Sequence, residues 1–169
     1  MLQAQQRRAD HIVEYVLYLW AMESLIRGAG FEEAVFEAFA EVHGEEEGEW
    51  LRGLAREMQR QGLTESGHTA HAHEVLTELA LLHDLLLGAM EDPVYRTRVA
   101  EAQPVLDDFR RKTDRPMHPV EQLCTALYGW WMLRAQGKEI SDETQEAMAL
   151  LREMANALAR GHIRVYQNR

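Results

Sequence analysis

The chain has 169 residues, 46% of them hydrophobic, with a formal charge of -10 and a single cysteine. That length suits one well-buried core and is short for two ordinary domains, so one domain spanning residues 1–169 is expected. The acidic balance excludes non-specific binding to nucleic acid or anionic lipid, which needs clustered positive charge, and no apolar run reaches the roughly 18–20 residues of a membrane span. The opening MLQAQQRRAD lacks the apolar core of a signal peptide, so the expectation is a soluble cytoplasmic protein.

Helical spacing runs from end to end without a strand alternation bounded by hairpin turns, which predicts an all-α bundle of six or seven helices. The first helix starts near Arg7 or Asp10 and carries Ile12, Val16, Leu19, Glu23 and Ile26 on one face until Gly28 and Gly30 end it. A second, amphipathic helix from Phe31 to about His43 sets Phe31, Val35, Phe39 and Val42 against glutamates. In GEEEGEW the carboxylates fall in the first turn of a third helix, where they suit the positive end of its dipole. The eight glutamates between Glu32 and Glu49 read as that helix start plus a solvated face, because no calcium-loop spacing accompanies them.

The third helix has Trp50, Leu51, Leu54 and Met58 as its stripe and stops at Gly62. Thr64 or Ser66 should cap a long fourth helix reaching Leu87. Asp92 then Pro93 is a cap followed by proline at the first helical position; Pro104 should kink or restart the helix that follows. From Pro119, the stretch LCTALYGWWMLRAQG is apolar over most of its circumference and is expected to be central. Lone Cys124 reads there as a small buried hydrophobe. Gly137 stops this helix, Ser141 caps the last one, and Gly161 should end it.

VEYVLYLWAMESLIRG, GLTESGHTAHAHEVLTELALLHDLLL and LCTALYGWWMLRAQGKEISDETQ occur in that order. Together they resemble the bacterial family labelled domain of unknown function 4924, with ALYG, LRAQGKEIS and DETQ the most specific. The resemblance implies a compact all-helical domain and brings no activity, ligand or catalytic residue.

Three constellations could carry chemistry. Glu65, His68 and His71 share a helical face and, with His83, are candidate metal ligands; carboxylate bundle sites need a second such motif, and polar residues at an exposed helix start explain the group as well. Glu23 and Arg134 place charge on apolar faces, so each needs a partner. Arg27, one turn after Glu23, is the local choice, and a Glu23–Arg134 pair would tie two distant helices; with His83 these form an expected buried polar network. Trp130 and Trp131 point about 100 degrees apart, so one should remain available for a homodimer contact.

No phosphate loop, nucleophile elbow or Ser/His/Asp context is present. The residues therefore suggest a non-catalytic helical interaction or regulatory protein, without cofactor, that forms a homodimer or binds another protein. The rival is a metal-dependent enzyme or small-ligand binder using the Glu/His group.

Overall fold

The computed structural model describes residues 1–167. It holds eight α-helices: α1 (Gln3–Asp10), α2 (Ile12–Gly28), α3 (Glu33–His43), α4 (Glu45–Arg60), α5 (Ala70–Leu87), α6 (Pro93–Arg111), α7 (Pro119–Ala135) and α8 (Asp142–His162). A π-helical turn, Ile163–Gln167, follows α8. The all-α expectation holds, with no strand among the described residues, but eight helices stand where six or seven were expected. The expected first helix is two, because the chain leaves helical conformation at His11. α1 is polar throughout and buries only Ala4, so it leaves no apolar stripe to read.

The fold comprises two compact units, Met1–Ala9 with Glu14–Val75, and Asp10–Val13 with Leu76–Arg169. In the first, Ile26, Phe36, Leu51, Ala55 and Met58 form the core, with Val35 and Phe39 partly buried against it. The register of α3 thus centres on Phe36, whereas Val42, expected on the inner face, is 76% exposed. α3 and α4 meet across Gly44, whose φ of 103° is open to glycine. Their crossing is tight at Gly48, where an added Cβ would lie 2.5 Å from the Ala40 Cβ. α4 does begin with its acidic turn, Glu45 to Glu47. α5 starts later than the Thr64 or Ser66 reading, because Thr69 turns its hydroxyl onto the Ala72 amide and caps it.

In the second unit α6 packs on α7 and α8, and α7 on α8. Asp92 caps α6 by accepting from the Tyr95 amide, and Ser141 caps α8 by accepting from the Thr144 amide, both as the sequence indicates. Pro104 does not end α6, which runs on to Arg111. It lies on the exposed side, opposite buried Ala102 and Leu106, where water can satisfy the carbonyl that proline leaves without a donor. α7 is buried only from Val120 to Leu127; its C-terminal half emerges, so it is not central along its whole length. Gly161 also departs from expectation. α8 passes through it to His162, and its missing side chain makes room for Leu86, whose Cδ1 would stand 2.7 Å from an added Cβ.

The two glycines of α4 separate space from propensity. Gly48→Ala is expected to destabilise by about 1–3 kcal/mol through overpacking at Ala40. Gly53→Ala, whose Cβ would meet nothing closer than Arg56 Nη2 at 3.9 Å, should stabilise by about 0.5–1 kcal/mol. Urea denaturation of the two variants checks the opposite signs.

Candidate functional site

Glu23 is 0% exposed on α2, a position that obliges its carboxylate to find donors. Its Oε2 lies 2.6 Å from His68 Nδ1, and its Oε1 accepts from the Thr69 amide at 2.9 Å and the Thr69 hydroxyl at 2.8 Å. Burial pushes the Glu23 pKa up, but the bonds from His68 and Thr69 outweigh it and leave the pKa below the ordinary 4.5. Glu23 is therefore an ionised anchor that holds the segment entering α5. Trp20 supports the arrangement by stacking on the His68 ring, centroids 4.7 Å apart at 21°.

The arginine partner expected for Glu23 is thus replaced by uncharged and histidine donors. Arg27 donates instead to the carbonyls of Gly67 at 2.9 Å and Leu63 at 3.4 Å, fastening the same connecting segment. Arg134 is exposed, against expectation, with its guanidinium 4.9 Å from the Trp130 ring centroid. Emergence of the C-terminal half of α7 makes its solvation inexpensive. Arg152 reaches the same ring at 6.0 Å. Trp131 is 42% exposed.

A cleft of about 270 Å³ is lined by the aromatic side chains of Tyr15 and Trp50 together with Leu19, Leu54 and Gly53. Thr69, His71 and Glu57 complete it. The Tyr15 hydroxyl and His71 Nε2 are 2.8 Å apart and fix each other, and Trp50 stacks on Tyr18 with centroids 5.6 Å apart. Hydrogen bonds from Arg60 and Gln61 hold the Glu57 pKa below its ordinary value, so the cleft presents a carboxylate at neutral pH.

The structure does not gather the suggested ligand set. Glu65 is exposed, His68 serves Glu23, His71 serves Tyr15, and His83 belongs to the second unit. His83 is 4% exposed, and its Nδ1 lies 2.7 Å from the Tyr95 hydroxyl. Burial, aided by nearby His118, lowers its pKa to about 4 and keeps the ring neutral at pH 7. Among the described residues, the ligand-type side chains near enough to share an ion are His83, Asp84 and His118. Asp84 and His118 escaped sequence reasoning because they are 34 residues apart. The available signal was His118 immediately before Pro119, in the capping position of α7. Cys124 is fully buried and its thiol is pushed up to about 12, first by burial and then by Glu121, so it is held as the neutral thiol.

These features define an all-helical protein, and no helix among the described residues is long and apolar enough to cross a membrane. The chain belongs to the family described as "Domain of unknown function (DUF4924)", whose profile matches residues 1–168. No curated protein and no solved structure matches it.

Acid should act on the two buried groups in different windows. The neutral His83 of the folded chain, near 4 against an ordinary 6.5, contributes stability that is lost as pH falls from about 6.5 towards 4, because unfolding captures a proton that folding excludes. The depressed Glu23 contributes fully above 4.5 and is lost as pH falls through its folded value. Glu23→Gln is expected to cost about 1–3 kcal/mol at pH 7 and to flatten only the lower-pH part of the profile. Urea midpoints taken between pH 7 and pH 3 measure both effects; an unchanged midpoint for the variant would contradict the anchoring role.

Proposed function

We propose that this chain is a non-catalytic regulatory protein that responds to a small organic cation bound in the Tyr15–Trp50 cleft. The observation that carries the reading is the cleft's pairing of two aromatic side chains with the Glu57 carboxylate. Aromatic side chains attract organic cations, and a carboxylate in the same lining orients the charge. The unit around the cleft supports the same sign, with thirteen carboxylates against six arginines. Its titratable neighbours are committed to structure, since Tyr15 and His71 bond each other and His68 is bound to Glu23. Those commitments speak against a metal-dependent enzyme built on Glu65, His68 and His71.

Choline, tetramethylammonium and phenethylamine titrated against tryptophan fluorescence test the reading. At least one is expected to bind saturably at micromolar to low millimolar concentration. Gly53→Leu should abolish binding without lowering the melting temperature, because its side chain would grow into the cleft from an uncrowded position. Absence of saturable binding by all three, or binding indifferent to that substitution, counts against it.

The reading includes a cytoplasmic homodimer. Trp131, 42% exposed near the end of α7, offers an apolar contact, and the lone thiol suits a reducing compartment. Sedimentation at high micromolar concentration should show a dimer for the native chain and a monomer for Trp131→Ser. A monomeric native chain would remove the dimer from the proposal.

A further inference from the structure

His83 and Asp84 are consecutive near the end of α5, and His118 caps α7, so two separate elements deliver two imidazoles and a carboxylate to one place. One ligand atom from each lies within 4.8 Å of the others. The His118 Nε2 to Asp84 Oδ1 distance is 3.4 Å, close to the spacing of two ligands about 2.0–2.2 Å from a common tetrahedral ion. The His83 and His118 rings stand nearly perpendicular, at 84°, with centroids 5.1 Å apart. Asp84 has a 68% exposed side chain and can close on an ion without disturbing the core.

We propose that His83, Asp84 and His118 form a binding site for a divalent transition-metal ion of the zinc class, independent of the cleft in the first unit. Two nitrogen donors and one carboxylate favour such an ion over magnesium or calcium, which take oxygen ligands. The surroundings of His83 fit the role. The Tyr95 hydroxyl, 2.7 Å from Nδ1, can orient the ring by accepting its proton, leaving Nε2 for the metal. The exposed side of Asp84 leaves water access to the remaining coordination positions.

His118 supplies a specific consequence. Without metal, its Nδ1 accepts from the Val120 amide at 3.1 Å, so the neutral ring carries its proton on Nε2 and directs it towards Asp84. When Nε2 binds a metal, the proton must sit on Nδ1, which then cannot accept from Val120. Metal binding exchanges the cap of α7 for coordination.

The test is calorimetric titration of zinc chloride into full-length protein without a histidine tag, after removal of metal with a chelator. One equivalent of zinc is expected to bind, and Asp84→Asn and His118→Asn should each weaken it about tenfold or more. Asparagine is a strong helix cap, so His118→Asn should melt within a few degrees of the native chain when zinc is absent. Amide NMR of the native chain should show the Val120 resonance shifting and its solvent exchange quickening with zinc. Failure to bind one equivalent would overturn the proposal. So would binding that both variants retain, which would place the ion on histidines such as His68 or His71, or binding that leaves the Val120 amide unchanged.

Discussion

The first unit depends on the requirement that the buried Glu23 carboxylate be answered by donors. A carboxylate with no access to water must be neutralised or fully bonded, and three donor contacts from His68 and Thr69 supply the second solution. Those donors lie in the segment between α4 and α5, so the demand of one α2 side chain sets the path of a connection more than forty residues away. Arg27 fastens the same segment through its carbonyls. Thr69 meets both demands, giving its amide and hydroxyl proton to Glu23 while its oxygen accepts from the Ala72 amide. Placement of Thr69 and His71 beside Tyr15 and Trp50, and hence the cleft, follows from that anchoring.

Helix class and several boundaries were legible because they are local. The Asp92–Pro93 start, the Ser141 cap and the acidic first turn of α4 each depend on residues within one turn of chain. Burial of Glu23 was legible too, since its position on an apolar stripe is a matter of periodicity. Its partners were not. A periodic pattern identifies faces without saying which segment returns to cover them, and the local alternative, Arg27, was drawn away by carbonyls of the connecting segment. The same limit separates His83, whose burial could be read from Leu79, Leu82 and Leu86, from its neighbours Tyr95 and His118, which arrive on other helices.

Glycine illustrates how one residue type can mislead. At Gly62 and Gly137, positive φ values of 71° and 69° mark helix exits. Gly161 has the same sequence context, near the end of an apolar stripe, yet α8 continues through it and Leu86 occupies the space above. Close approach and backbone freedom both select glycine, and only the neighbouring helix distinguishes them. Arg134 presents a related ambiguity: it continues the apolar face of α7 in projection, but by that turn the face has left the core.

Cys124 gives the second unit a natural clock. A single thiol with no solvent exposure can meet a dissolved alkylating reagent only while the surrounding helices are open. With no second cysteine in the sequence to blur the signal, the speed of its modification reports how often the packing around this one position of α7 opens, locally or by global unfolding. The native chain therefore carries, without any added label, a chemical readout of opening at a core position of the second unit.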